Sequence, residues 1–273
     1  MGKFDSVLIC TDLDGTLLRN DKTISCENIE AIEYFKQEGG YFTFVTGRMP
    51  FFVSDVLDTI NLNVPFGCVN GAGLYDAVKE EYVWTATMPD NVIALVQHID
   101  EHFSNVGIQV NTFHKTYFCK ENQTMANFRK VTGLKNIVCD YYNVHEPIAK
   151  ILFGSESEDE IQHIEKALKS HPLAYNFDFI RSEKTLYEIL PKGICKGISI
   201  IKLCDHLNID IRKSIAIGDY NNDISMFRAA GIGIAVSNAC EEALNAADFI
   251  TVSNEEHAIA KVIADLEKGK YQL

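Results

Sequence analysis

The sequence lacks any run of apolar residues approaching the ~18 that a membrane-spanning helix needs. It also lacks the charged, apolar and cleavable regions of a secretory leader. Basic residues are in deficit, with Lys+Arg 25 against Asp+Glu 38 and a formal net charge of −13. That shortage removes the basic face needed for a broad nucleic-acid or anionic-membrane footprint. A phosphate-bearing ligand must therefore be drawn in by local cations and not by the global field. No C-x-x-C pair occurs among the eight cysteines, and Cys10 and Cys68 lie in apolar, strand-like runs. They read as free thiols of a reducing compartment, not as a disulfide framework. No G-x-x-x-x-G-K-[ST] is present, which excludes a nucleotide P-loop. Gly71-Ala72-Gly73 and Gly231-Ile232-Gly233 both lack the third glycine of a dinucleotide site. Met1-Gly2-Lys3-Phe4-Asp5-Ser6 fits the myristoylation pattern, but an apolar strand follows at once, so lipidation is not expected. A cytoplasmic protein with neither nucleic-acid nor membrane partners is expected.

What the chain does have is an ordinary globular composition, 47% hydrophobic and 23% charged over 273 residues, enough for one or two domains with a substantial core. Ser6-Val7-Leu8-Ile9-Cys10 reads as a buried strand. Residues 25–38 carry Ile29, Ile32 and Phe35 on one helical face and stop at Gly39-Gly40. Tyr41-Phe42-Thr43-Phe44-Val45 is a second strand. A helix with Phe52, Val56 and Ile60 follows, then the strand Phe66-Gly67-Cys68-Val69. This alternation predicts a parallel sheet wound right-handedly.

Near residue 82 the pattern changes. A helix over about 90–104 precedes alternating segments at 107–112 and 115–120, another helix and strand, and a strand at Ala149–Phe153. The acidic run Glu156 to Glu160 opens a helix carrying Ile161, Ile164 and Leu168, where acids suit the helix dipole better than a metal. Segments 173–181 and 185–190 read as a closing hairpin. From Pro191 the first pattern resumes, with a helix at 196–207, strands at 214–217, 232–236 and 249–252, and a last helix opened by Ser253 and Glu256 in capping-box spacing. The fold class expected is α/β, a doubly wound, mainly parallel Rossmann-like sheet with an inserted α+β domain. The core would be discontinuous, 1–82 and 189–273, with the insert at 83–188.

Four loops after core segments carry chemistry-bearing residues. Thr11-Asp12-Leu13-Asp14-Gly15-Thr16 places two carboxylates just past a strand end, where an open α/β sheet binds its ligand. Strict alternation would point them to opposite faces. A backbone already turning, with Gly15 permitting the bend, lets both reach one site. Thr46-Gly47-Arg48 offers a hydroxyl and backbone N–H groups at an expected helix start, an anion seat. Lys196 opens a helix, and Gly218-Asp219-Tyr220-Asn221-Asn222-Asp223 brings two acids after a strand. Taken singly, each has a plain explanation as a cap or a surface group. Together they make a hard-oxygen cation site beside phosphate donors, and Mg²⁺ wants such ligands.

These motifs, with Asn70-Gly71-Ala72, Lys196-Gly197 and Ile224-Ser225-Met226, resemble the haloacid dehalogenase-like phosphatase superfamily. Within it, the chain is similar to the Cof-type phosphatases, whose large α+β cap is inserted after the third core strand. The resemblance implies a Mg²⁺-dependent phosphatase of small phosphorylated metabolites, sugar phosphates first. By the same resemblance, Asp12 is the nucleophile and a metal ligand. Asp14 binds the metal through its backbone carbonyl, and its carboxyl protonates the leaving oxygen and later activates water. Thr46, Gly47 and the Leu13 backbone N–H hold phosphoryl oxygens, Lys196 neutralises the phosphate and steadies Asp12, and Asn222 touches phosphate. Asp219 completes the metal ligands, and Asp223 stands behind them. The cap is implied to close over the substrate and supply specificity.

Elementary chemistry supports those roles. A carboxylate attacking a phosphate dianion meets like-charge repulsion, which a divalent ion and a lysine offset. A covalent aspartyl-phosphate splits one slow displacement into two. Partial burial and neighbouring acids are expected to raise the Asp14 pKa for acid catalysis. Two rivals stand beside this reading: a phosphomutase on the same scaffold and a non-catalytic metabolite-binding protein. His98 and His102, at i and i+4 with acids between, read as a solvated helix face and not a metal pair. Asn122-Gln123-Thr124 fits a glycosylation acceptor that has no use inside a cell. Trp84, Tyr141, Tyr142, Phe177 and Phe179 read mostly as core of the insert. The sequence leaves oligomeric state open, a homo-oligomer included.

Overall fold

The computed structural model describes residues 2–273. The first part of the chain runs β1 (Leu8–Thr11), α1 (Cys26–Gln37), β2 (Tyr41–Phe44), α2 (Ser54–Thr59), β3 (Phe66–Cys68), β4 (Gly73–Asp76) and β5 (Glu81–Thr85). The middle holds α3 (Val92–His102), β6 (Gly107–Thr112), β7 (Thr116–Lys120), α4 (Gln123–Thr132), β8 (Ile148–Gly154), α5 (Glu158–Ser170), β9 (Phe177–Glu183) and β10 (Leu186–Pro191). The last part runs α6 (Lys196–Leu207), β11 (Ser214–Gly218), α7 (Ile224–Ala229), β12 (Ile232–Ala235), α8 (Glu241–Ala246), β13 (Phe249–Ile250) and α9 (Ala258–Glu267).

The chain divides into two compact units, Met1–Thr85 with Cys195–Leu273, and Ala86–Ile194. In the first unit a parallel sheet has the order β13-β12-β11-β1-β2. β1 lies between β2 and β11, and all four of its residues are buried, which is why it reads as an unbroken apolar run without alternation. The chain leaves β1 towards β2 on one side and returns on the other as β11. The carboxyl end of β1 is thus the switch point of the sheet, the place where such folds bind ligands. α1 starts at Ser25, whose hydroxyl accepts from the Asn28 N–H, and buries Ile32 and Phe35.

The structure differs from several expectations. β3 meets the parallel sheet through the parallel bridge Val45–Gly67 and the Phe44–Phe66 ring contact, but its strand ladder is antiparallel with β4, and that of β4 with β5, in a three-stranded meander. Gly67 cannot carry a side chain toward its neighbours, since a Cβ there would stand 2.5 Å from Ser199 Oγ. The helix expected around Phe52, Val56 and Ile60 is only α2, because Pro50–Phe52 is a 3-10 turn and Ile60 is already extended. The expected break at 82/83 falls inside β5, which is held to β4 and keeps Trp84 with the first unit. The second break falls after Ile194 and not at 188/189, because β10 continues to Pro191 paired with Phe177 of β9. After α4 no named strand follows before β8; only Val138 bridges to Phe118. The Ser253–Glu256 capping box forms, but on a 3-10 turn, and α9 starts after His257 at φ 61°.

The second unit is an antiparallel sheet, β7-β6-β8-β10-β9. Its face bearing Ile108, Val110, Ile151, Phe153 and Ile189 packs with Val92, Leu95, Val96 and Ile99 of α3 and Ile161, Ile164 and Leu168 of α5. Tyr141 and Phe177 are buried in that cluster and Phe179 packs against it, while Tyr142 is exposed. The acidic start of α5 is capped by Ser157, whose hydroxyl accepts from the Glu160 N–H.

Candidate active site

The site forms where β1, β2 and β11 end, entirely within the first unit. The Asp12 N–H donates to the Ile217 carbonyl at 2.8 Å, extending the ladder by one residue and burying the Asp12 side chain. The chain then turns. Leu18 N–H donates to the Leu13 carbonyl at 2.8 Å, and Gly15 takes φ 82°. A side chain at Gly15 would be strained at that φ, and its Cβ, 2.5 Å from Asp219 Oδ2, would push the Asp219 carboxylate aside. Thr16 Oγ1 donates to Asp219 Oδ1 at 2.9 Å, so the loops after β1 and β11 are stitched together. Leu13 itself points into the core.

Lys196 is the first residue of α6 and is 2% exposed. Its Nζ lies 2.8 Å from Asp12 Oδ1 and 2.6 Å from Asp223 Oδ1. Asp223 Oδ2 accepts from the Asp219 and Tyr220 N–H groups, each at 3.0 Å, folding the acid loop back on itself. Asp12, Asp219 and Asp223 each offer a carboxylate oxygen, and these oxygens all lie within 4.8 Å of one another.

Electrostatics follow from that crowding. Burial, then the adjacent Asp223 charge, pushes the Asp12 carboxyl well above its ordinary value of 3.8, against the pull of Lys196. Burial and Asp223 likewise push Asp219 up to about 6. Burial works against the Lys196 ammonium, but Asp12 and Asp223 outweigh it and hold its proton more tightly. Three carboxylates share one lysine, so the cluster is short of positive charge. That donor set, hard oxygens only and under-neutralised, fits a divalent cation such as Mg²⁺.

Asp14 departs from expectation. Its carboxylate is gripped by Arg48, Nη2 at 2.6 Å and Nε at 3.0 Å, and by Lys22 at 2.9 Å. Burial favours the neutral acid, but these two cations overcome it and hold the Asp14 pKa below 3.8. The neighbours that decide are cations, not the acids that the sequence places nearby. Asp14 is also outside the trio of converging carboxylates.

Thr46 is buried and its Oγ1 accepts from the Arg48 N–H at 3.2 Å. The segment after it is the 3-10 turn at Pro50, so Thr46 does not stand at a helix N-terminus as expected. Its support comes from the turn after β3, where Val69 and Asn70 both take φ 53°. The Asn70 N–H donates to the Thr46 carbonyl and the Val69 N–H to the Arg48 carbonyl, each at 3.0 Å. Asn70 Oδ1 accepts from Asn222 Nδ2 at 3.4 Å and sits against Gly47, where a Cβ would come within 2.9 Å of it. Thr46, Gly47 and Asn222 are therefore neighbours through Asn70. A β-branched residue at positive φ is strained, and such strain gathers at functional sites. Sequence reasoning assigned no role to Asn70 or Arg48. The Asn-Gly pair, which tolerates left-handed backbone, was the available signal for the first; nothing marked Arg48 as the partner of Asp14. His98 and His102 lie elsewhere, on α3 of the second unit, where the His102 ring meets the His98 carbonyl at 2.8 Å.

Comparison with known proteins agrees with this geometry. The haloacid dehalogenase-like hydrolase family profile matches residues 9–263. A Bacillus subtilis protein named 5-amino-6-(5-phospho-D-ribitylamino)uracil phosphatase YwtE is 31% identical, over 96% of this chain and 99% of its own. A second protein of that name and organism, YitU, is 25% identical over 94% of this chain and 96% of its own. Among solved structures, a haloacid dehalogenase-like hydrolase from Bacteroides thetaiotaomicron superposes with a TM-score of 0.83 at 25% identity, covering 95% of this chain and 99% of its own. With that profile spanning residues 9–263 and a relative 31% identical over 96% of the chain, the chain belongs to the haloacid dehalogenase-like hydrolase family.

Proposed function

We propose that this hydrolase is a Mg²⁺-dependent phosphatase of small, hydroxyl-rich phosphorylated metabolites, acting through an aspartyl-phosphate on Asp12. The observation that carries the reading is the buried Asp12 carboxylate, fixed by Lys196 at 2.8 Å beside Asp219 and Asp223. Asp12, Asp219 and the Asp14 backbone carbonyl would hold the metal, with Asp223 behind them. Bound there, the ion supplies positive charge that offsets the repulsion between a carboxylate and a phosphate dianion.

The chain's own groups then divide the work. An Asp12 oxygen attacks phosphorus, and the ester oxygen leaves as its bond to phosphorus breaks. Asp14 gives that oxygen a proton. In the second half Asp14 takes a proton from water, which attacks the aspartyl-phosphate, releases phosphate and restores Asp12. Lys196 balances charge on Asp12 and the phosphoryl group. Thr46 Oγ1, the Gly47 and Leu13 backbone and the Asn222 amide hold the phosphoryl oxygens. Asp14 must take up a proton before it acts as an acid, although Arg48 and Lys22 favour its charged form. An incoming phosphate dianion competes for those two cations and so raises the Asp14 pKa when substrate arrives.

Substrate class is supported by the two Bacillus relatives, whose names specify a phosphate ester carrying a ribityl chain. Sugar and sugar-alcohol phosphates come first by this reading. The test is release of free phosphate by the purified protein with Mg²⁺ and no bisphosphate activator. The panel comprises hexose, pentose and tetrose phosphates, flavin mononucleotide, pyridoxal phosphate and p-nitrophenyl phosphate. Turnover of sugar phosphates is expected, and a panel without any turnover overturns the proposal.

A further inference from the structure

β7 forms one edge of the second unit's sheet, and its outer side is met by a parallel bridge, Phe118 with Val138. The Phe118 N–H donates to the Ile137 carbonyl at 2.9 Å, so the chain after α4 runs alongside β7 there. Alternation then sorts the side chains on both segments. Phe118 packs with Met125 of α4 on one face of the sheet, and Val138 is exposed. Tyr117 and Cys119 turn the other way, into the cluster with α3 and α5, as do Ile137 and Cys139. A parallel register advances both chains together, which sets Cys119 beside Cys139 on one face, one residue beyond the bridge. β7 also slips register against β6 between Phe118 and Lys120, leaving Cys119 outside that ladder.

Both thiols are free and only half-buried. Each donates weakly within its own segment, Cys119 Sγ to the Tyr117 carbonyl at 4.0 Å and Cys139 Sγ to the Asp140 carbonyl at 3.3 Å. Burial, then the neighbouring Cys139, pushes the Cys119 thiol up to about 12, so few Cys119 thiolates exist at neutral pH. A thiol of that kind is slow to attack an oxidant and better placed to resolve a mixed disulfide next to it. Neighbouring strands lie about 4.8 Å apart, inside the roughly 4.4–6.8 Å between Cα atoms that a disulfide spans. The segment carrying Cys139 is otherwise lightly held. Between Gly133, the left-handed C-cap of α4, and Tyr141 it forms no helix or strand.

We propose that Cys119 and Cys139 are a modification site, a thiol pair that closes to a disulfide when a low-molecular-weight disulfide oxidises it. The Cys139 thiolate attacks one sulfur of the oxidant, forms a mixed disulfide and expels one thiolate. Cys119 then gives its proton to solvent and attacks the Cys139 sulfur, expelling the second thiolate. The two protein thiols lose two protons and two electrons, and the oxidant is reduced to two thiols. The bond turns residues 119–139, α4 included, into a closed loop and staples the lightly held segment to the sheet edge, which suppresses its local opening. The pair lies wholly within the second unit and is independent of the phosphatase reading.

The experiment incubates the reduced, folded wild-type protein with glutathione disulfide, traps the remaining thiols with iodoacetamide and maps the peptides without reduction. The expected result is a Cys119 peptide linked to a Cys139 peptide, separated again by dithiothreitol. Trypsin cleavage after the exposed Lys135 should be at least about threefold slower in the linked protein than in the reduced one. The order of attack is read from two variants. Cys119→Ser is expected to stop at a glutathione adduct on Cys139, and Cys139→Ser to leave Cys119 modified at least ~10-fold more slowly than Cys139 is in the wild type. The main readout needs no substitution, so a variant that fails to fold does not blunt it. A wild type that stops at glutathione adducts, leaves both thiols open to iodoacetamide, or links the two only in urea overturns the pair. An unchanged rate of cleavage after Lys135 in the linked protein overturns the staple.

Discussion

At the scale of single residues, the chemistry lies in how few positive charges serve many negative ones. Lys196 is buried between Asp12 and Asp223, and burial with the Asp223 charge pushes the Asp12 carboxyl above the ordinary carboxylate value. An unfolded Asp12 ionises near 3.8, so above that pH the folded state binds the extra proton. The stability contributed by Asp12 therefore falls as pH rises from 3.8 through its elevated folded pKa. Asp12→Asn removes the nucleophile and this penalty together, while Lys196 keeps its bond to Asp223. It should cost at least ~10³-fold in kcat. In chelator its Tm should match or exceed that of the wild type, with the gap widening as pH is raised from 4 to 8. Near-normal turnover would remove Asp12 from the nucleophile's role. A Tm advantage that shrinks with pH would contradict the charge environment.

At the scale of elements, the site depends on turns that only certain backbones can make. The β3–β4 turn brings Gly71, at φ 100°, against the start of α6, and a Cβ there would stand 2.0 Å from the Cys195 carbonyl oxygen. That obstacle is backbone, next to Lys196, so it cannot swing aside. Gly133, the C-cap of α4, also has positive φ, 68°, but meets nothing within 4 Å. Gly133→Ala should cost roughly 1–2 kcal/mol, the left-handed penalty alone. Gly71→Ala should cost on the order of 3 kcal/mol or more and lower kcat by displacing Lys196. Denaturant unfolding and kinetics on the two variants check this. Equal losses would show that the approach to α6 is not what requires glycine.

At the scale of the whole molecule, the parallel sheet is assembled from two stretches of chain separated by the 109 residues of the second unit, Ala86–Ile194. Asp12 comes from the first stretch and Lys196, Asp219 and Asp223 from the last, so a cation bound by Asp12 and Asp219 binds the folded chain and not the unfolded one. Chelation should stop turnover reversibly and lower Tm. Added Mg²⁺ at about 100 times its Kd should restore ~2.7 kcal/mol of stability by mass action. Full activity in chelator would sink the metal assignment. Among the described residues no helix is long and apolar enough to cross a membrane.

Much of this was legible in the chain. β1 and β11 are short apolar runs that end in carboxylates, and α5 and α6 follow 3.6-residue periodicity, because burial of local side chains imposes those patterns directly. The first unit's boundaries were misread by a few residues, since β5 and β10 are assigned by their partners and not by their own composition. Which residues meet was another matter. Arg48 and Lys22 reverse the expected environment of Asp14, Asn70 joins Thr46 to Asn222 through a strained turn, and Gln109 meets Asn111 with two atoms unpaired. The sequence by itself determined the alternating α/β pattern and the aspartates at strand ends, properties of neighbours along the chain, together with the acidic balance of charge. Only the tertiary structure decided which charges face one another, because the sign of a pKa shift and the partner of a buried amide depend on distances of a few ångströms between residues far apart in sequence.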